Sequence, residues 1–184
     1  MELILVLHNI RSCYNVGAIL RSAEGFGVSK VVLSGYTPRV HDSSLLPHLR
    51  EKLDNEIHKT ALGAEDLVRI ENAECERSAE GVNDTKNAEN LKALLLDYNR
   101  DGFKIVGLEN HIEEETFSLN NPDLKEKLGE KVVLVLGEEV HGIPADLYDL
   151  IDLFIEIPMK GQKESFNVSV AAGIAIYELT KKTR

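Results

Sequence analysis

The chain has 184 residues, of which 43% are hydrophobic and 28% charged, a composition typical of globular proteins rather than disordered or fibrous ones. Its formal net charge of −10 argues against indiscriminate nucleic-acid binding, which usually requires a basic surface. No apolar run approaches the ~20 residues that span a bilayer, no basic region precedes the first apolar run, and the two cysteines lack metal-ligand spacing. We therefore expect a cytoplasmic protein with no signal peptide, membrane segment, disulfide framework or metal site.

The charge is unevenly distributed along the chain. Residues 1–50 hold five basic and three acidic residues, whereas the rest holds 16 basic and 28 acidic residues. An amino-terminal face could therefore meet phosphate groups while the remainder stays acidic. The alternative is a solvated acidic surface that implies no partner.

The first half of the chain alternates strand-like and helix-like patterns. Leu3–Leu7 has the length and the continuous apolar character of a buried strand, and Val31–Leu33 predicts the next one. A helix is predicted between them, with Asn15 as its cap. Ala61–Ala64 fits a helix or a turn, and Leu67–Ile70 fits a helix end or a short strand. The apolar positions of the predicted helix are Val16, Ile19, Leu20 and Ala23.

The second half begins with a polar stretch, residues 72–90, which predicts a surface excursion or a short hidden helix. An amphipathic helix is predicted at Leu91–Tyr98. Val132–Leu136 is apolar at every position, which is typical of a parallel strand covered on both faces. The other predicted elements are strands at Lys104–Leu108 and Ile151–Ile157, and helices at Pro122–Leu128, Pro144–Leu150 and Val168–Leu179.

Strands and helices thus alternate, and no linker or repeat divides them. The pattern predicts one α/β domain over residues 1–184, with a mostly parallel sheet of about six strands and helices on both faces. Ligands of such sheets bind beyond the carboxyl ends of the strands. The loops to search are His8–Arg21, Leu108–His111, Gly137–Gly142 and Ile157–Asn167. A GxGxxG fingerprint and a Walker A sequence are both absent, which argues against an ordinary dinucleotide enzyme or P-loop protein.

The loop Ile157–Asn167 is the most informative of these. Its strand ends at a proline, which has no backbone N–H and takes the chain out of the sheet. Ser165 and Asn167 come just before an alanine-rich helix, so the alternative interpretation is a helix cap. A cap does not explain the neighbouring Met159 and Phe166, which with free backbone amides suit a ligand that combines a flat base with a polar tail.

The loop Gly137–Gly142 follows the wholly apolar strand. A glycine there lets a ligand approach the backbone, and a solvated turn is the alternative. Metal binding by Glu138, Glu139 and His141 is poorly supported, because consecutive side chains of a strand point opposite ways.

Asn15 and Arg21 lie about one and two-thirds helical turns apart. Arg21 sits close to the apolar stripe of its helix, which is consistent with a position at an interface. The alternative is a plain surface charge, which is the more common place for an isolated arginine. In a phosphate or RNA site it is the natural fork-shaped donor.

Together, these segments resemble the three motifs of the SpoU (TrmH-like) family of the SPOUT superfamily of RNA methyltransferases. The first motif is matched by Asn15–Gly27, the second by Leu134–Ile143, and the third by Ile157–Met159 with Ser165–Ala171. All three occur in order at strand–loop–helix junctions, and the match covers essentially the whole chain.

The resemblance implies a deep carboxyl-terminal trefoil knot, one of the exceptions to the rule against knots. It also implies a homodimer that binds S-adenosyl-L-methionine in the knot and methylates a ribose 2′-hydroxyl of RNA. By resemblance, the cofactor-binding residues are Leu108, Glu109, Gly137, Ile157, Met159, Ser165, Phe166 and Asn167. The catalytic residues carried over are Arg21, Asn15, Glu139, Ser165 and Asn167, and the expected RNA-binding residues are Arg11, Arg21 and Arg39.

Arg21 is a poor general base because its side chain is effectively always protonated. We expect it to grip a phosphate and stabilise the developing alkoxide. Because the chain begins almost at its first strand, without a separate amino-terminal RNA-binding domain, a tRNA is the expected substrate. The alternatives are an rRNA 2′-O-methyltransferase, a non-catalytic RNA-binding module that keeps the knot, and a flavodoxin-like binding domain.

Overall fold

The computed structural model describes residues 1–73, 77–78, 81–82, 84–110 and 112–181. The strands in these ranges are β1 (Glu2–His8), β2 (Lys30–Ser34), β3 (Ile70–Asn72), β4 (Arg77–Ser78), β5 (Gly81–Val82), β6 (Lys104–Leu108), β7 (Thr116–Ser118), β8 (Lys131–Leu136) and β9 (Leu153–Glu156). The helices are α1 (Cys13–Gly25), α2 (Pro47–Ala61), α3 (Asp84–Arg100), α4 (Leu124–Leu128) and α5 (Val168–Thr180). Two short 3-10 helices, Ala64–Asp66 and Ala145–Leu150, complete the set.

Seven strands form one sheet in the order β3-β2-β1-β8-β6-β9-β7, and every neighbouring pair is parallel. The predicted parallel α/β fold is therefore confirmed, with one strand more than expected. The additional strand, β7, has only three half-buried residues at the sheet edge, too few to show a period in the sequence. The trefoil knot stays a prediction.

Helices cover both faces of the sheet, as predicted. Side chains of a strand alternate between faces, and β1 shows this directly. Leu3, Leu5 and Leu7 join the core formed with α1, α2, α4 and α5. Ile4 and Val6 join the opposite core, formed with α3 and the second 3-10 helix. The central strand β8 is buried at every position after its first, as expected for a strand covered twice.

The amino-terminal cap of α1 differs from the prediction. Ser12 is the cap, and its side chain accepts a hydrogen bond from the backbone nitrogen of Asn15 at 3.3 Å. The prediction that Asn15 caps this helix is wrong, because the helix begins two residues earlier, at Cys13. The Asn15 side chain is thereby available for other contacts.

Other helix bounds also differ from the sequence patterns. The helix α2 was represented in the predictions only by the ambiguous Ala61–Ala64, because just two of its residues are buried and its apolar stripe is narrow. Two further helices begin later than predicted. The helix α4 begins at Leu124 rather than Pro122, and the second 3-10 helix begins at Ala145, with Pro144 as its N-cap residue. The polar stretch 72–90 contains β4, β5 and the first turns of α3, which begins seven residues before the predicted Leu91.

Within the described ranges, no helix is both long and apolar enough to cross a membrane. Cys75 and His111 lie outside these ranges. For the site, the decisive feature of the sheet is that β8, β6 and β9 are direct neighbours. Their carboxyl ends therefore bring three of the four predicted loops to one edge.

Candidate functional site

A cleft of about 480 Å³ opens beyond the carboxyl ends of β6, β8 and β9. Its volume lies in the range of small-molecule sites. Most of the residues predicted to bind or act on a ligand line it. They are Leu108, Glu109, Gly137, Glu139, Ile157, Ser165, Phe166 and Asn167. The half-buried Met159 is not among the described residues that line the cleft.

The loop after β8 is folded tightly against itself. Glu138 and Gly142 form an antiparallel bridge, with backbone N–H···O distances of 3.1 and 2.9 Å. A Cβ atom on Gly137 would lie 2.1 Å from the backbone carbon of Gly142, so no other residue fits there without moving the loop. All six residues of this loop, Gly137–Gly142, line the cleft.

Glu109 lies beneath this loop and holds it in place. Its Oε2 accepts a hydrogen bond from the backbone nitrogen of Ile143 at 2.8 Å. Gly142 adopts a φ of +69°, and a Cβ atom there would lie 2.3 Å from the same oxygen. Burial raises the pKa of the Glu109 carboxyl above its usual value, and hydrogen bonds from the backbone of Ile143 and Asn110 lower it in part.

Asn110 was not among the predicted site residues, although it lies in the loop Leu108–His111, and its side chain contacts the backbone of the loop after β9. Its side-chain oxygen accepts from the backbone nitrogen of Ile157 at 3.2 Å, and its side-chain nitrogen donates to the Ile157 carbonyl at 3.0 Å. The same nitrogen lies 3.5 Å from the carbonyl oxygen of Glu164. An asparagine directly after one buried strand, beside a strand that ends at Pro158, was the available signal.

A chain of hydrogen bonds joins the three motifs. The Asn15 side-chain nitrogen donates to Oε1 of Glu139 at 2.9 Å, and the Asn15 side-chain oxygen accepts from the Asn167 side-chain nitrogen at 3.2 Å. Asn167 also caps α5, because its oxygen accepts from the backbone nitrogen of Ser169 at 2.9 Å. The helix-cap interpretation of Asn167 is therefore correct, and its predicted role in the site stays a prediction.

The mouth of the cleft is partly apolar. Phe166 is 41% exposed and Val140 is 69% exposed, although both line the cleft. Ser165 is exposed and also lines the cleft. The acids Glu109, Glu138, Glu139 and Glu164 also line the cleft, which favours a ligand that carries positive charge.

The three expected RNA-binding arginines occupy different environments. Arg11 forms an ion pair with Glu138, and its backbone nitrogen donates to Oε2 of Glu139 at 3.3 Å. A hydrogen bond with Tyr36, together with the nearby Glu138, raises the pKa of Arg11. Arg39 is half-buried and donates to the carbonyl oxygen of Ala73 at 2.6 Å, so it ties its loop to the end of β3.

Arg21 is exposed on α1 and does not line the cleft of its own chain. No ion pair or hydrogen bond of its side chain is found within the described part of the chain. It lies seven residues after Tyr14, on the same exposed face of the helix. The described residues also contain no group of three or more His, Cys, Asp or Glu side chains arranged to hold a metal ion.

Comparison with known proteins links this geometry to one family. A model of the SpoU rRNA Methylase family matches residues 56–177. The 23S rRNA (guanosine-2'-O-)-methyltransferase RlmB of Xylella fastidiosa (strain 9a5c) is 31% identical over 180 residues, which are 98% of this chain and 59% of that protein.

Solved structures share the fold. The AdoMet-bound rRNA methyltransferase from Sinorhizobium meliloti superposes with a TM-score of 0.70 at 21% identity, over 97% of this chain and 55% of that one. A structure concerned with the 2-OH methylation of C/U34 on tRNA superposes with a TM-score of 0.66 at 21% identity, over 97% of this chain and 93% of that one. The chain thus spans little more than half the length of the rRNA-modifying relatives it matches.

Proposed function

The chain belongs to the SpoU rRNA Methylase family, and on that basis we propose that it transfers the methyl group of S-adenosylmethionine to a ribose 2′-hydroxyl of RNA. The observation that carries the proposal is the cleft at β6, β8 and β9, where three separated segments of the chain meet around one volume. The relative from Xylella fastidiosa is named for this reaction on 23S rRNA, and the chain aligns with it almost throughout.

The cleft suits S-adenosylmethionine in size and chemistry. Leu108, Leu136 and Ile157 supply apolar walls for a flat base, and the tight backbone turn at Gly137 leaves room for a close approach. The cofactor carries a sulfonium and an ammonium group, and four carboxylates line the cleft. When bound, it supplies an activated methyl group on sulfur.

The protein's own part in the reaction is to position the ribose and stabilise charge. A 2′-hydroxyl is a weak acid, so its oxygen must be aligned and its developing negative charge offset. We assign this role to Arg21, which is always protonated and cannot accept the proton itself. The polar chain of Glu139, Asn15 and Asn167 fixes the first motif against the cleft.

Because Arg21 lies outside the cleft of its own chain, we propose that a second copy completes the site as a homodimer. Four large apolar side chains are exposed on or beside the packed helices α1 and α5, which favours an interface. The rings of two of them already contact one another, Phe26 and Tyr177, with centroids 5.9 Å apart. The four side chains are Tyr14, Phe26, Val170 and Tyr177.

Ribosomal RNA is the first substrate to test, because the curated relatives are named for 23S rRNA and do not support the tRNA expected from the sequence. A tRNA is the second candidate, since this chain covers 93% of the chain in the tRNA-related structure. The prediction that Arg11 and Arg39 contact the RNA remains part of this proposal.

The proposal is tested by incubating the protein with radiolabelled S-adenosylmethionine and purified rRNA or tRNA from cells that lack the enzyme. Label should enter one RNA fraction and survive alkaline hydrolysis within a dinucleotide, because a methylated 2′-oxygen cannot attack the neighbouring phosphate. Label recovered in mononucleotides after alkaline hydrolysis would place the methyl group on a base and refute ribose methylation.

A further inference from the structure

We propose that Asn110 is a positioning residue that sets the shape of the cofactor cleft. It does so by holding together the two ends of the loop between β9 and α5, Ile157–Asn167, which we call the third-motif loop. The inference rests on the proposed function, because its consequence is measured as cofactor affinity. Within the described ranges, the hydrogen bonds of this side chain go to the backbone of that loop and of the strand end before it.

The loop needs a support of this kind because its strand ends abruptly. The last residues of β9 pair with β6 up to Ile155, and Pro158 cannot donate a backbone hydrogen bond to continue the sheet. Ile157 lies between these two points and is 8% exposed. Its backbone groups would be left unpaired in a largely buried position, which is costly.

The Asn110 amide occupies the place of the missing strand partner. Its oxygen accepts from the Ile157 nitrogen at 3.2 Å and its nitrogen donates to the Ile157 oxygen at 3.0 Å, as a neighbouring peptide group would. No other uncharged side chain of similar length except glutamine offers both a donor and an acceptor in this planar arrangement.

The second contact of the amide nitrogen closes the loop. It lies 3.0 Å from the carbonyl of Ile157 and 3.5 Å from that of Glu164, so one group holds both ends of the excursion. Immediately after Glu164 come Ser165, Phe166 and Asn167, which line the cleft. If Ile157 and Glu164 moved apart, the three lining residues and the hydrogen bond between Asn167 and Asn15 would be displaced together.

The neighbouring Glu109 holds the loop after β8, Gly137–Gly142, in a similar way, because its side chain accepts a hydrogen bond from the Ile143 nitrogen. Two consecutive residues at the end of β6 therefore hold the two loops on either side of it. Among the described residues, the Asn110 side chain hydrogen-bonds to the third-motif loop and not to the loop after β8, so its substitution isolates the contribution of the third-motif loop.

The test compares Asn110→Ala and Asn110→Asp with Asn55→Asp, which introduces the same charge on the exposed face of α2. Loss of the bridge should raise the dissociation constant for S-adenosylmethionine about tenfold, as expected for one lost hydrogen bond and some displacement. The KM for the cofactor should rise similarly, while the KM for RNA stays within about twofold. Asn55→Asp should behave as the native protein.

Asn110→Asp adds a readout that a merely structural role would not move. At pH 8 the introduced carboxylate has no donor for the Ile157 carbonyl, whereas its protonated form regains one. The affinity of this variant relative to the native protein should therefore recover as the pH falls from 8 to about 4, the ordinary pKa of an aspartate. A ratio that does not change with pH, or native affinity in both Asn110 variants, would overturn the proposal.

Hydrogen exchange at the Ile157 amide keeps the inference separate from the proposed function. Exchange should accelerate in both Asn110 variants, because the amide loses its acceptor, and remain native in Asn55→Asp. If the native protein binds no S-adenosylmethionine, the proposed function fails, and faster exchange at Ile157 still supports the bridge. Unchanged exchange at Ile157 refutes the bridge even if the cofactor binds.

Discussion

The side-chain nitrogen of Asn15 donates a hydrogen bond to Oε1 of Glu139 across 2.9 Å, although the two residues are 124 positions apart in the chain. Asn15 lies in the first turn of α1, and Glu139 lies in the loop after the central strand β8. The same loop receives the backbone nitrogen of Arg11 through Oε2 of Glu139. The start of α1 is thus fixed to the rim of the cleft by both oxygens of one carboxylate.

This relationship predicts energetic coupling between the two side chains. Asn15→Ala and Glu139→Ala should each lower the turnover number about tenfold, because each frees the start of α1 from the cleft. The double variant should be little worse than either single one, with a coupling energy of about 1 kcal/mol. The measurement is a double-mutant cycle on the turnover number, and strictly additive effects would show that the bond does not matter for catalysis.

Arg21→Ala should lower the turnover number by about two orders of magnitude, as loss of a group that stabilises a developing oxyanion does. The affinity for S-adenosylmethionine should stay within about twofold, because Arg21 does not line the cleft. Arg100→Ala removes the same charge from α3, where the arginine pairs only with Asp97 in the described part of the chain, and should retain full activity. Native turnover in Arg21→Ala would exclude the assigned role.

A mixing experiment tests whether the site is shared between two copies. Arg21→Ala keeps the cleft, and Gly137→Ala keeps Arg21 but places a Cβ atom 2.1 Å from the backbone of Gly142. Each variant alone should be nearly inactive. After the two are mixed and allowed to exchange subunits, activity should reappear, because one mixed site combines an intact cleft with an intact arginine. Absence of activity in a verified mixed dimer would mean that each chain uses its own Arg21.

Glu109 predicts an unusual dependence of stability on pH. Its pKa is raised in the folded protein above the ordinary 4.5, so the folded state binds its proton more tightly than the unfolded state does. The carboxyl therefore stabilises the fold most at low pH, and this stabilisation is lost as the pH rises through the raised pKa. Glu109→Gln should have a higher free energy of unfolding relative to the native protein at pH 7 than at pH 4.

Urea unfolding of both proteins between pH 4 and pH 8 measures this difference. Glu51→Gln, at an exposed position of α2, serves as the control. If the gap between native protein and Glu109→Gln stays constant across the range, burial is not what governs the Glu109 carboxyl.

The buried strands could be predicted closely from the sequence. β6 was predicted at its observed bounds, and β1 and β8 within one residue at each end, because continuous apolar runs of that length have few other solutions in an α/β protein. The helix α2 and the strand β7 could not be predicted in the same way. Both lie at the periphery: two residues of α2 and none of β7 are buried, so neither segment shows a clear period.

Residues that line the cleft could be predicted where they belong to a sequence motif. Residues whose position depends on the order of the strands in the sheet could not. Gly137, Ile157 and Phe166, which the resemblance assigns to the cofactor, line the cleft. Asn110 belongs to no motif, and its role depends on two strands being neighbours in the sheet, which the sequence does not order. Met159 was predicted to bind the cofactor, but it is not among the described residues that line the cleft.

The central claim is that the cleft at β6, β8 and β9 binds S-adenosylmethionine, and calorimetric titration of the native protein, Gly137→Ala and Gly25→Ala tests it most directly. The native protein should bind one cofactor per chain. Gly137→Ala should bind at least about tenfold more weakly, because its new Cβ atom displaces the loop that forms the cleft wall. Gly25→Ala, where a Cβ atom meets nothing within 4 Å, should bind as the native protein does. Absence of binding to the native protein, or equal affinity in all three proteins, would contradict the account.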